Sequence, residues 1–215
     1  MTENLQEKKW VPLIRKALSR PLPGASAHIR MLPPGRSFPS PDQWPEGLKT
    51  SSVLILLYPE NEEIYCCLLK RQPYLRNHGG QIGFPGGRME EGDKSLLYTA
   101  LRECREEIGV ATGEQNILGS LSTLYVSVSG FLIHPFVAWL PSKPNFSIDF
   151  QEVEKLLFLP VLTFLQEDRL MKAIVDTFTG SLEVPAWELE GEIIWGATAM
   201  ILAEFFDILK QQPEE

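Results

Sequence analysis

Gly86-Gly87-Arg88-Met89-Glu90-Glu91-Gly92-Asp93-Lys94-Ser95-Leu96-Leu97-Tyr98-Thr99-Ala100-Leu101-Arg102-Glu103-Cys104-Arg105-Glu106-Glu107-Ile108-Gly109-Val110 is the stretch from which the rest of the chain is read. A glycine turn leads through an acidic connector into a helix that Asp93 or Ser95 can cap, and Gly109 suits the left-handed position past its end. A helix turns about 100° per residue, so Glu103, Glu106 and Glu107 share roughly one quadrant of its surface. Leu97, Ala100, Leu101, Cys104 and Ile108 form the core-facing stripe on another side. Like charges at this spacing repel by about 0.2–0.5 kcal/mol per pair. An ordinary solvated helix face would mix the signs. Clustered carboxylates become favourable around a hard divalent cation, which takes oxygen ligands, so the helix reads as a metal platform.

The whole chain bounds what that platform serves. Its 215 residues, 44% of them hydrophobic, suffice for one large domain with an N-terminal arm. A net charge of −8 and a pI near 5.0 argue against a nucleic-acid-coating surface. They also mean that an anionic substrate must be drawn in by local arginines or a metal. Three cysteines, two adjacent in an apolar run (Cys66-Cys67), form no disulfide framework and suit a reducing cytosol. With no apolar signal core and no run of membrane-spanning length, the expectation is a soluble, cytoplasmic chain without membrane or nucleic-acid partners.

In chain order, Trp10, Leu13, Ile14, Ala17 and Leu18 keep helical spacing up to the stop at Pro21-Leu22-Pro23-Gly24. The Pro- and Gly-rich stretch from Met31 to Gly47 predicts an extended wrap without regular structure. Strands are expected at 52–58, 64–69, 81–84, 117–125, 131–139, 172–178, 182–187 and 193–195. Helices are expected at 152–158, ended by Pro160, and at 197–209, with a further turn at 162–166. Intermixed strands and helices without a strict βαβ repeat point to an α/β (α+β) fold, a mixed sheet between helical layers.

As a spacing, the central stretch is Gly, five residues, an acid, eight residues, then Arg-Glu-apolar-x-Glu-Glu-x-Gly-apolar. It closely resembles the signature of the Nudix hydrolases, which cleave a diphosphate linked to another moiety. Asp93 stands where that family usually has glutamate, and one extra residue separates it from Arg102. Upstream, Leu68-Leu69-Lys70-Arg71-Gln72-Pro73-Tyr74-Leu75-Arg76-Asn77-His78-Gly79-Gly80-Gln81-Ile82-Gly83-Phe84-Pro85 resembles the extended motif of the coenzyme A pyrophosphatase branch: two arginines five apart, Gly-Gln, then Phe-Pro-Gly-Gly. The branch usually has Leu-Leu-Thr-x-Arg-Ser where this chain has Cys67-Leu68-Leu69-Lys70-Arg71-Gln72. Glu152-Val153 with Pro160, and Trp195-Gly196-Ala197-Thr198, resemble the branch as well.

The resemblance implies a Nudix-type α/β/α sandwich over 51–212, with 1–50 as a helix and proline-rich arm packed on it. It implies that Glu103, Glu106 and Glu107, with the Gly87 carbonyl, bind Mg²⁺ or Mn²⁺, and that Arg102 orients a ligating glutamate. The proton from the attacking water would go to a glutamate of the helix or to Glu152, and spacing does not choose between them. Arg71 and Arg76, with Gly86 and Gly87, are candidates for phosphate contact, although both arginines read equally well as a solvated loop. His78 reads as a loop hydrogen-bonder, Cys104 as core and Trp195 as core packing. The implied substrate is coenzyme A or an acyl derivative; the alternatives are another nucleoside diphosphate such as ADP-ribose or NADH, or a nucleotide-binding module without turnover. A homodimer is expected from the resemblance alone.

Overall fold

The apolar run Ser52–Tyr58 lies inside β1 (Lys49–Glu60), a strand with neighbours on both sides. The computed structural model describes residues 5–75, 79–166, 169–177 and 180–211. Ahead of β1 come α1 (Leu5–Leu18) and α2 (Ala25–His28). After it follow β2 (Glu63–Arg71), β3 (Ile82–Gly83), β4 (Gly86–Arg88), α3 (Leu96–Ile108), β5 (Ile117–Ser120), β6 (Leu124–Val126) and β7 (Phe131–Trp139). The chain continues with β8 (Val153–Pro160), α4 (Val161–Gln166), β9 (Met171–Thr177), β10 (Gly180–Leu189), β11 (Glu192–Ile194) and α5 (Gly196–Lys210).

β1 pairs in parallel with β7 and antiparallel with β2 and β4, so the main sheet is mixed. β9, β10 and β11 form a second, antiparallel sheet. Alternation along β1 and β2 sorts the side chains to two faces, as the pleat requires. Leu54, Leu56, Cys67 and Leu69 pack against Ala100, Cys104 and Ile108 of α3. Ile55, Leu57, Cys66 and Leu68 join a larger core with α5 and with Ile14 and Ala17 of α1. Each of the buried leucines and isoleucines adds about 1.5–3 kcal/mol over leaving it exposed. The result is a sheet between α3 on one face and α1 and α5 on the other, the α/β/α sandwich with a mixed sheet that the resemblance implied.

Three local expectations are corrected. Residues 152–158 are not helical: β8 runs antiparallel to β2, with Cys67 opposite Phe158 and Leu69 opposite Leu156. The run Leu156–Leu159 satisfies both periodicities, and the open edge of β2 decides it, burying Leu157 and Leu159 on one face while Leu156 and Phe158 pack on the other. The strand expected at 117–125 is two strands, because the Ser122 N–H leaves the ladder for the Glu204 carboxylate at 3.2 Å. The proline-rich stretch contains a 3₁₀ turn at Pro41–Gln43, where the Gln43 side chain accepts the Ser40 N–H at 3.2 Å. Among the described residues no helix is long and apolar enough to cross a membrane.

The N-terminal arm is tied to α5 by a buried carboxylate. Glu204 is 0% exposed and accepts the Gly24 N–H at 3.0 Å as well as that of Ser122, with His28 Nε2 at 3.1 Å. Burial pushes its pKa up, but the hydrogen bonds from His28 and Ser122 outweigh it and hold the group below the ordinary glutamate range. A carboxylate held low stabilises the fold above its unfolded pKa and loses that contribution as the pH falls through the folded one. Glu204→Ala would strand three donors, so it is expected to cost about 3–5 kcal/mol in urea denaturation at pH 7. The gap between variant and wild type should begin to narrow below the ordinary glutamate pKa of about 4.3, where the unfolded chain takes up a proton that the folded carboxylate still refuses, and should close as the pH falls through the lower folded pKa.

Candidate functional site

Three pieces of backbone converge on one end of α3. Ser95 caps the helix, its Oγ accepting the Tyr98 N–H at 3.1 Å, and Gly109 ends it in the left-handed region at φ 72°. The turn Gly86-Gly87 is drawn against the helix as the short strand β4, paired with Val53 and Ser52 of β1. The end of β2 brings in Arg71.

Glu107 and Arg71 close the inner half of the site. Glu107, 2% exposed, accepts the Gly86 N–H through Oε2 at 2.8 Å. Arg71 Nη2 donates to the Gly86 carbonyl at 2.8 Å and lies 2.9 Å from Glu107 Oε1. That second contact is an ion pair without hydrogen-bond geometry, so Glu107 Oε1 is buried and accepts no hydrogen bond. Burial raises the Glu107 pKa to about 7; Arg71 and the Gly86 N–H oppose the rise, and the charges of Glu103 and Glu152 add to it.

Arg102 organises the outer half. Its Nε and Nη2 each donate to one oxygen of Asp93 at 2.9 Å, a bidentate fork. Nη1 reaches Glu103 Oε1 and Glu106 Oε2, both at 2.9 Å. Asp93 Oδ2 also accepts the Glu90 N–H at 3.0 Å and the Thr99 hydroxyl at 2.9 Å. The Arg102 fork beside it holds the Asp93 carboxyl well below the usual carboxylate range, despite its burial. Glu103 is raised by burial, with Arg102 opposing. At Gly87 the Glu103 carboxylate packs against bare backbone, and a Cβ there would push that carboxylate away from Arg102.

The residues singled out from the sequence therefore fall into two groups. Arg71, Gly86 and Glu107 meet on the inner side, and Arg102, Glu103 and Glu106 meet on the outer side with Gly87 against Glu103. Glu152 is exposed, yet near enough for its charge to raise both Glu103 and Glu107. Arg76 and His78 lie outside the described residues. Cys104 is fully buried, its thiol pushed up to about 12 by burial, which suits core and not nucleophile. Trp195 packs on the small apolar cluster of the second sheet. Asp93 is the residue the sequence reading undervalued. Read from the sequence as a helix cap in the connector, it grips the arginine that orders two of the glutamates, and an acid at fixed spacing ahead of that arginine is the available signal.

The donor set is that of a hard cation site, all oxygens. Among the described residues no three His, Cys, Asp or Glu side chains close on a common point. Glu103 and Glu106 are turned onto Arg102, and Glu107 onto Arg71 and Gly86. Desolvated carboxylates that raise one another's pKa, one with a buried oxygen accepting nothing, are what a divalent ion would satisfy.

Comparison with known proteins bears on the same region. A family profile described as the NUDIX domain matches residues 48–173. A Yersinia enterocolitica protein named Uncharacterized Nudix hydrolase NudL is 32% identical over 164 residues, covering 76% of this chain and 83% of its own. A Caenorhabditis elegans protein named Peroxisomal coenzyme A diphosphatase ndx-8 is 36% identical, covering 62% of this chain and 58% of its own length. The crystal structure of a MutT/nudix family protein from Enterococcus faecalis superposes with a TM-score of 0.57 at 15% identity, over 80% of this chain and 64% of that one, a likeness of fold.

Asp93→Ala leaves Arg102 with one carboxylate fork empty. The expected outcome is a loss of about 1–3 kcal/mol in thermal or urea unfolding. Because Glu103 and Glu106 lose their positioning, diphosphate hydrolysis should fall roughly 10–100-fold in the folded variant, read by initial rates.

Proposed function

Because the chain belongs to the Nudix hydrolase family, which acts on diphosphate bonds, we propose that it is a divalent-metal-dependent pyrophosphohydrolase of coenzyme A or acyl-CoA. The products are 3′,5′-ADP and (acyl-)4′-phosphopantetheine. The observation that carries the chemistry is the carboxylate cluster at the glycine turn, with Arg102 bridging Glu103 and Glu106 and with Glu107 buried beside Gly86. The substrate reading rests on the segment from Arg71 to Phe84 and on the similarity to the nematode protein named a coenzyme A diphosphatase.

Glu103, Glu106 and Glu107, with the Gly87 carbonyl, would hold Mg²⁺ or Mn²⁺, oxygen ligands suited to either. Such a cation supplies neutralisation of the phosphoryl charge during attack by water on one phosphorus. The chain's own residues do the rest. Asp93 fixes the Arg102 fork, and Arg102 keeps Glu103 and Glu106 aimed. Arg71 holds the Gly86 carbonyl, which keeps the turn closed on α3, and its guanidinium offers the local positive charge that a chain of net charge −8 needs near a phosphate. Arg76 is the second phosphate contact in this reading. The proton from the attacking water goes in this reading to a carboxylate of the cluster: a glutamate of α3, or Glu152, which is exposed and whose charge reaches Glu103 and Glu107. The three cysteines, free and buried, suit a reducing compartment, and we read the chain as cytoplasmic.

Glu106→Gln and Glu107→Gln are each expected to abolish turnover while circular dichroism stays that of wild type; near-normal rates in both would refute the assignment. A panel of coenzyme A, acetyl-CoA, ADP-ribose, NADH and nucleoside triphosphates with Mg²⁺ or Mn²⁺, products resolved by chromatography, tests the substrate. Coenzyme A turned over to 3′,5′-ADP is the expected result. Cleavage of ADP-ribose or NADH with coenzyme A untouched overturns the substrate, and tight nucleotide binding without hydrolysis overturns the enzymatic reading. Because ionised carboxylates are the ligands and Glu107 titrates near pH 7, Mg²⁺ should raise the Tm at pH 8 and have little effect at pH 5.

A further inference from the structure

Tyr74 and Phe150 are the two most exposed large aromatic side chains among the described residues, with 67% and 69% of their surface in solvent. A single exposed apolar residue needs no explanation. These two are distant in sequence yet tied together. The Tyr74 hydroxyl donates to the Gln151 carbonyl at 2.8 Å and lies 3.5 Å from the Phe150 carbonyl. Gln72 fastens the same segment: its N–H donates to the Glu152 carbonyl at 2.8 Å and its side-chain amide to the Phe150 carbonyl at 2.9 Å. Asp149 accepts the Gln151 N–H at 2.9 Å and closes the turn. The backbone beneath both rings is therefore held, while neither ring joins an apolar cluster of the fold.

The pair borders the carboxylate cluster. Tyr74 follows shortly after Arg71, whose guanidinium holds the Gly86 carbonyl at 2.8 Å. Phe150 lies two residues before Glu152, at most about 7 Å of chain, and the Glu152 charge reaches Glu103 and Glu107. We propose that Tyr74 and Phe150 form a stacking platform for the adenine ring of the nucleotide substrate, beside the diphosphate site. The proposal rests on the hydrolase reading above and adds to it the place of the base. Open aromatic faces held on a fixed backbone take a nucleobase by stacking. Asp149 and Glu152 flank Phe150 with acceptors and negative charge, and the exocyclic amino group of adenine is a donor. An acyl chain offers no such donor. Reach points the same way: adenine is one ribose removed from the diphosphate, whereas the acyl end of an acyl-CoA lies a whole pantetheine arm away.

Steady-state kinetics and product inhibition of the full chain with Mg²⁺ test this. Tyr74→Ala and Phe150→Ala should each raise the KM for coenzyme A roughly tenfold, with kcat within about twofold of wild type. The inhibition constant of 3′,5′-ADP should rise by the same factor, and that of 4′-phosphopantetheine should not move. Tyr74→Phe loses the bond to Gln151 but keeps the ring, so its KM should stay within about threefold of wild type. A fall in kcat with 3′,5′-ADP inhibition unchanged, or Tyr74→Phe as impaired as Tyr74→Ala, overturns the platform and leaves the pair as supports for Glu152. Weakened inhibition confined to 4′-phosphopantetheine overturns it too, by placing the other arm on the rings. If wild type leaves coenzyme A untouched and cleaves ADP-ribose or NADH, the coenzyme A reading fails by itself. The KM for that substrate, which carries the same base, then decides the platform. A wild type that binds no adenine nucleotide overturns both.

Discussion

The fork between Arg102 and Asp93 is the contact on which the site depends. Three glutamates crowded on one side of a helix beside a glycine turn are electrostatically costly, and two of them, Glu103 and Glu106, are gathered by one guanidinium at 2.9 Å. That guanidinium can serve both only because its other two nitrogens are fixed by Asp93, itself tied to the Glu90 N–H and the Thr99 hydroxyl. The third glutamate takes the inner route, buried against Gly86 and Arg71. Glycine at 86 and 87 lets β4 pass close enough to β1 and α3 for both arrangements to coexist.

The division between chemistry and substrate follows from this geometry. The glutamates and Arg102 lie on one rigid helix packed through Ala100, Cys104 and Ile108 onto the sheet. The segment from Arg71 to Phe84, on which the substrate reading leans, starts at the end of β2, where the Arg71 side chain is held against the Gly86 carbonyl and Glu107. Rigid elements fix a reaction class, and loops carry the choice among substrates.

Much of this is legible in the amino-acid sequence. The capped and glycine-terminated α3, the buried central strands and the final helix all follow from periodicity and turn chemistry, because there local preference and tertiary packing agree. Residues 152–158 read as a helix because Leu156–Leu159 fits a helix and a strand equally, and only the open edge of β2 decides between them. The break at Ser122 was hidden for a related reason: its cause is Glu204, distant in sequence. In the site, the glutamates and Arg102 were visible as a spacing, whereas the role of Asp93 needed the fold that brings the connector back against α3.

The central claim is that this arginine-ordered cluster is a divalent-cation site, and manganese gives the direct view. Crystals of the wild-type protein soaked in Mn²⁺ should show anomalous density bounded by the carboxylates of Glu103, Glu106 and Glu107 and the Gly87 carbonyl. Saturating Mn²⁺ that supports hydrolysis in solution yet leaves that position empty, with density elsewhere on the chain, would contradict the account.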